Sequence, residues 1–158
     1  MKKQLSHFDA AGHASMVDVS AKQETRRTAK ARAFVAMPDE VLEALPRNPK
    51  GDPLEVARIA GIAAAKKTSD LIPLCHQLPL THIGVEFQIG DGGIEITATA
   101  ATLARTGVEM EAMAAAAVAA LTIYDMTKGL DKAIEIRNIY LIEKTGGKSG
   151  TFRRDAET

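Results

Sequence analysis

Between Gly107 and Gly129 the chain reads GVEMEAMAAAAVAALTIYDMTKG, and no other stretch restricts its fold so firmly. The alanines, Ala112, Ala114 to Ala117, Ala119 and Ala120, are interrupted only by Met113 and Val118. Alanine has the highest helix propensity, so the run predicts a helix. Glu109 and Glu111 fall in its first turn, where the macrodipole favours negative charge, and Lys128 falls in its last, where positive charge is favoured. Asp125 and Lys128, three residues apart, share a face. Taken alone, the stretch reads as a well-capped core helix, a role that requires no chemistry.

Such a helix needs a core around it, and 158 residues suffice for one domain with a sizeable core. Hydrophobic residues make up 46% and charged residues 25%, as in ordinary soluble proteins. Formal net charge is zero, aromatics are 4% and Trp is absent, so neither global attraction to nucleic acid nor a base-stacking platform is expected. The single Cys75 excludes an internal disulfide framework and suits a reducing compartment. The apolar stretch from Ala112 to Met126 is too short to span a bilayer. The N-terminal MKKQLSHFDAAGHASM lacks the apolar run of a secretory signal. The expectation is a single cytoplasmic domain over 1–158, with 1–15 and 146–158 as flexible tails.

The remaining elements follow from local pattern. Met16 to Ser20 alternates briefly and predicts a short strand. A polar, basic stretch containing Arg26, Arg27, Lys30 and Arg32 leads into a strand over Ala31 to Ala36. Pro38 opens a short helix that Pro46 stops. Asp52-Pro53-Leu54-Glu55 supplies an N-cap acid, Pro at the first position and Glu at the third, opening a helix that runs to about Thr68. Lys50 stands just outside that helix start, where free amides suit an anion. Ser69 to Leu80 is apolar but broken by Pro73 and Pro79, so it reads as a rigid extended loop presenting Cys75 and His76. Ile83, Val85, Phe87 and Ile89 alternate as a half-buried strand. Asp91-Gly92-Gly93 makes a hairpin turn, and the return strand runs to Leu103. After the alanine-rich helix, Ala133 to Lys144 forms a last strand whose apolar phase shifts near Arg137 and Asn138, as a bulge requires. The order is the α+β, ferredoxin-like β-α-β-β-α-β pattern, an antiparallel sheet with helices on one face and an extra helix in the first crossover.

Two local matches carry little chemistry. Gly147-Lys148-Ser149 resembles the end of a phosphate-binding P-loop, but the required earlier glycine falls at Ile142 and no helix follows. Cys75, His76 and His82 lack the spacing of a zinc site, so no metal site is expected. Lys50, Cys75, His76, Glu109, Glu111, Asp125, Lys128 and Lys144 remain. Lysines suit a polyphosphate, and paired carboxylates suit a guanidine-like or amino-pyrimidine edge. An Asp/Lys pair can perform acid/base chemistry when its surroundings tune it. Together they fit a nucleotide-like substrate better than a peptide or a lipid. On one continuous helix, however, Glu111 and Asp125 stand about 21 Å apart. They serve different sites, or one pocket closed across a subunit interface. The alanine-rich body favours the second, since small side chains let helices approach closely.

The stretches MVDVSAK-x-ET, KGD ahead of ARIAGI-x-AAK, DLIPLCH, TGVEMEA, AALTIYDM-x-K and GGKSG together resemble the MoaC, or cyclic pyranopterin monophosphate synthase, family of molybdenum cofactor biosynthesis. The resemblance extends from about Leu5 to Phe152. It implies a ferredoxin-like subunit in a homohexamer, a trimer of dimers with active sites at dimer interfaces. It also implies a phosphorus–oxygen lyase that converts 3′,8-cyclo-7,8-dihydroguanosine 5′-triphosphate to cyclic pyranopterin monophosphate. Diphosphate is released, without redox change. By the same resemblance, Asp125 is the catalytic aspartate and Lys50 and Lys128 are the catalytic lysines. Leu74, Cys75, His76, Met110 and Glu111 are substrate-binding, Glu109 belongs to the same motif, and Arg27 and Lys144 help hold the phosphates. No cofactor is implied; whether Mg²⁺ accompanies the triphosphate stays open, as does handover of the substrate from the upstream radical enzyme. Two other classes fit some of these residues. One is a non-catalytic, oligomeric nucleotide-binding regulator on the same fold, and the other is a zinc enzyme of GTP cyclohydrolase type.

Overall fold

Strict alternation builds the sheet. In the strand β1 (Thr25–Ala36), Ala29, Ala31, Ala33 and Val35 are buried while Arg26 and Lys30 face solvent, the period-two pattern of a sheet with one covered face. The computed structural model describes residues 7–155. β1 lies at the centre of a five-stranded sheet that also contains β2 (Leu80–Gly90), β3 (Gly93–Ala104), β4 (Glu135–Thr145) and β5 (Phe152–Arg153). The spatial order is β2-β3-β1-β4-β5, with every neighbouring pair antiparallel. The helices are α1 (Asp39–Ala44), α2 (Pro53–Lys66), α3 (Thr68–Leu71) and α4 (Glu109–Thr127), with a 3-10 turn at Leu45–Arg47. This is the ferredoxin-like arrangement, lengthened by α1 in the first crossover and by β5 at one edge.

The alanine-rich stretch is indeed one continuous helix, packed on the sheet through Ala112, Ala115, Ala116, Ala119, Ala120 and Ile123, all fully buried. α2 lies beside it, burying Ala57, Gly61, Ala64 and Ala65. At Gly61 a Cβ would stand 2.9 Å from the Ala115 carbonyl oxygen, so the two helix backbones meet there without a side chain between them. Asp52 caps α2, its carboxylate accepting from the Leu54 and Glu55 amides at 2.9 and 3.4 Å. α4 departs from the well-capped expectation, because Val108 at its N-cap has no polar side chain to offer the first-turn amides.

Other differences trace to tertiary pairing. β1 begins at Thr25 rather than Ala31, since β3 and β4 flank it on both sides and take up its backbone groups even where the sequence is basic. Met16 to Ser20 forms no strand. The loop after α2 opens with the helical turn α3 before extending to Pro79, whose carbonyl accepts from the buried Thr102 hydroxyl at 2.8 Å. The β1–β4 register slips opposite Ala33, where Asn138 takes φ 56°, the left-handed conformation that Asn tolerates better than most residues. Parts of the two expected flexible tails carry structure. Phe8 bridges Ala14 around an Asp9-centred turn, and Phe152–Arg153 pair with Lys144 and Glu143 as β5. Residues 1–6 and 156–158 of those tails lie outside the described residues.

Candidate functional site

The residues singled out above gather at the two ends of α4. At the C-terminal end Lys128 is the helix C-cap, and its Nζ lies 2.6 Å from Asp125 Oδ1. Both side chains are about half exposed. The Lys128 ammonium, by hydrogen bond and charge, holds the Asp125 carboxyl below the usual carboxylate range, and the charge of Lys50 adds to the effect. Asp125 in turn raises Lys128 above the usual lysine value. Lys50 reaches this end through Asn48. The Asn48 side-chain amide donates to the Met126 carbonyl at 2.8 Å, and its oxygen accepts from the Lys50 amide at 2.9 Å. Asn48 carries no motif in the sequence that would mark it; its role exists only because the loop after the Leu45–Arg47 turn packs on the end of α4.

At the N-terminal end, Leu74, Cys75, His76, Glu109, Met110 and Glu111 line a single cavity of about 380 Å³. Glu111 is 4% exposed. Burial, reinforced by the negative charge of Glu109, pushes its carboxyl up to about 7 against the opposing pull of its own backbone amide. Burial, and then the charge of Glu111, also push the Cys75 thiol up. The His76 ring is held by Nε2, 2.8 Å from the Val17 carbonyl oxygen. The segment expected as a short strand therefore serves as a backbone partner to the site.

A second cavity of about 760 Å³ adjoins the first, sharing Lys22, Thr106, Gly107 and Glu109. Arg27 and Lys144 line it, as do Lys22 and Arg105, which the sequence left unmarked as ligands, and Lys148 of the Gly147-Lys148-Ser149 match. The Arg27 guanidinium is braced from behind, Nε donating to the Ala104 carbonyl at 3.0 Å and Nη2 to that of Arg105 at 3.2 Å. Lys144 Nζ donates to Ser149 Oγ, so the GGKSG turn closes one side. Gly147 packs directly against the Arg27 guanidinium, leaving no room for a Cβ, and its φ of 77° favours glycine as well. The cavity walls thus carry five cationic side chains and one carboxylate, Glu109, an arrangement suited to a polyanion. Lys22 had one available signal, its place inside MVDVSAK; Arg105 had none, because its position depends on how β3 ends.

The structure therefore brings Arg27, Lys144, Leu74 to His76 and Glu109 to Glu111 into two contiguous cavities, and groups Lys50, Asp125 and Lys128 elsewhere. Because α4 is continuous from Glu109 to Thr127, the fourteen helical rises from Glu111 to Asp125 separate the clusters by about 21 Å. Among the described residues no three His, Cys, Asp or Glu side chains converge as metal ligands, and no helix is long and apolar enough to cross a membrane.

A ferredoxin-like sheet bearing a cationic cavity beside a carboxylate pocket defines a protein with a site suited to a small polyanion. Residues 16–147 match the MoaC family, and the chain belongs to it. It is 59% identical over 155 residues to the cyclic pyranopterin monophosphate synthase of Trichlorobacter lovleyi, covering 96% of this chain and 97% of the relative. The enzyme of the same name from Geotalea uraniireducens is 56% identical, with 97% and 98% of the two chains covered. That of Deinococcus radiodurans is 54% identical, with 95% and 90% covered.

Proposed function

We propose that this protein is a cyclic pyranopterin monophosphate synthase of molybdenum cofactor biosynthesis. It converts the cyclised dihydroguanosine triphosphate to cyclic pyranopterin monophosphate and releases diphosphate, as a lyase. The carrying observation is chemical complementarity at the two ends of α4. One end offers a cationic cavity with a carboxylate pocket, and the other offers an Asp/Lys pair joined by a third cation.

In this reading Arg27 and Lys144 hold the triphosphate, and Lys22, Arg105 and Lys148 lend charge to the same cavity. Leu74, Cys75, His76 and Met110 enclose the base-derived rings, with Glu109 and Glu111 on their polar edge. Lys50 and Lys128 neutralise the charge that develops as the phosphate is attacked, and Asp125, already tied to Lys128, passes protons during ring opening and closure. Since all of these residues act on one substrate in this reading, one subunit supplies Glu111 and another Asp125, and the distance between the clusters supports that division. A homohexamer, a trimer of dimers with a pocket at each dimer interface, satisfies that requirement. The cationic walls supply the countercharge of the triphosphate, so the reading includes no metal cofactor; turnover in chelator, with and without Mg²⁺, tests this point. The protein works in the cytoplasm, and the upstream radical enzyme delivers its substrate.

The deciding experiment supplies purified protein with the cyclised intermediate and measures diphosphate and the pterin product together. Stoichiometric appearance of both is expected. Binding without diphosphate release would instead identify a nucleotide-binding regulator and overturn the proposal.

A further inference from the structure

The stretch ahead of β1 reads in sequence as a tail as far as residue 15, yet it walls the carboxylate cavity on one side, through His7, Val17 and Lys22. Residues 7–15 close on themselves as a small hairpin. Phe8 bridges Ala14, the Ser15 amide donates to the His7 carbonyl at 2.9 Å, and Asp9 Oδ1 accepts from the Ala11 and His13 amides, each at 2.9 Å. Gly12 supplies the left-handed residue of the turn, with φ 84°. Phe8 is 54% exposed, so the hairpin adds nothing to the core of its own domain. Among the described residues, two side-chain hydrogen bonds tie the stretch 7–23 to the body of the domain, and both come from residues that line the site. His76 Nε2 lies 2.8 Å from the Val17 carbonyl oxygen in the carboxylate cavity, and Arg105 Nη1 donates to the Ser20 carbonyl at 3.2 Å beside the cationic one. A carbonyl only accepts, so His76 Nε2 carries the hydrogen of its bond. Both ties lie within one chain, and neither depends on the pocket standing open to solvent.

We infer that the N-terminal hairpin is a substrate-binding element and that His7 is a further contact residue, its imidazole hydrogen-bonding the base-derived rings. Neutral imidazole carries one donor and one acceptor, so it meets either an amino or a carbonyl edge. The work of the hairpin is positional. A chain end that carries a contact residue loses affinity to the entropy of ordering it, and the Asp9 turn removes part of that loss before substrate arrives. The Val17–His76 bond then joins the hairpin to the Leu74–His76 loop, so one continuous stretch places both histidines of the cavity. The inference rests on the assignment of this cavity to the base-derived part of the substrate.

Equilibrium binding of the cyclised intermediate tests it, measured on the assembled protein in an Asp125→Asn background so that bound ligand is not consumed. His7→Ala should raise Kd about tenfold, the scale of one hydrogen bond, at an unchanged melting temperature. Asp9→Ala loses the two amide bonds of the turn but lines neither cavity, and it should weaken binding in the same direction. Added to His7→Ala it should cost no further affinity, because Asp9 acts through His7. With Asp125 restored, kcat/KM of His7→Ala should fall by the same factor as its affinity. Affinity of His7→Ala within about twofold of its parent would overturn the inference, and so would independent, additive losses in the double variant. If the wild type releases no diphosphate, the proposed function fails, and the Kd values still decide whether His7 touches the ligand.

Discussion

Lys128 Nζ lies 2.6 Å from Asp125 Oδ1, in a pair that stands half exposed at the end of α4 rather than in the core. Exposed pairs of this kind add little to stability, so chemistry accounts for the geometry better than folding does. Each partner favours the charged form of the other, and Lys50 adds a second cation. The end of α4 therefore carries a mutually stabilised charged pair with access to solvent.

Replacing Asp125 with Asn should lower turnover of the cyclised intermediate by at least about a hundredfold. Substrate affinity should change only a few-fold and the melting temperature little, because the side chain is exposed. Diphosphate release and equilibrium binding on the same sample check this, and near-normal turnover would remove Asp125 from the mechanism.

Asn48 should behave as a positioning residue for Lys50. Loss of its bond to the Met126 carbonyl in Asn48→Ala should lower kcat/KM by about tenfold, the scale of one hydrogen bond. Asn48→Asp keeps the acceptor for the Lys50 amide but cannot donate to Met126, so it should match the alanine variant. Recovery of activity in Asn48→Asp would show that the Lys50 turn alone matters.

The separation of the two clusters makes a strong demand on assembly. Oligomers mixed from subunits bearing Glu111→Ala and subunits bearing Asp125→Asn should regain part of the activity that each lacks alone. The intact sites would be those drawing their Glu111 and Asp125 from wild-type halves of different chains. Verified mixed oligomers with no recovery would rule against a shared pocket.

Stability should depend on pH through Glu111. In the unfolded chain its carboxyl loses a proton near 4.5, and in the folded protein near about 7. Between those values the folded state binds more protons, so stability falls as pH rises through the window, by an upper bound of about 3 kcal/mol. Glu111→Gln lacks that loss and should be the more stable protein above about 7, by denaturant titration at matched pH. A constant difference between the two proteins across the window would refute the assignment.

Gly61 tests the helix contact. In an exposed helix Gly→Ala gains about 1 kcal/mol of propensity. Here the new Cβ would stand 2.9 Å from a backbone oxygen of α4, which cannot rotate away. Overpacking should win, and Gly61→Val in particular should be destabilised by about 1–3 kcal/mol in thermal or denaturant unfolding.

Much of the architecture was legible because its signals are local. Alternation from Ile83 to Leu103 and the alanine run marked the hairpin and α4, and Asp52-Pro53 marked the start of α2. The six extra residues of β1 and the pairing of Phe152–Arg153 were not legible, because partners distant in sequence hold them. The site divides in the same way. Asp125 and Lys128 announce each other by their three-residue spacing, whereas Asn48 and Arg105 join the site only through packing.

By itself, the sequence determined that α4 would be a continuous helix with acids at one end and an Asp/Lys pair at the other, since propensity and helical spacing act within a few residues. That already set the distance between Glu111 and Asp125. Tertiary structure decided what each end means. At one, the Cys75 loop closes over Glu111 and removes its water, converting one of two similar acids into a buried group with a shifted titration. At the other, no described segment of the same chain covers Asp125, which stays half exposed beside Lys128. Desolvation and counter-charge are properties of neighbours, and neighbours are chosen only when the chain folds.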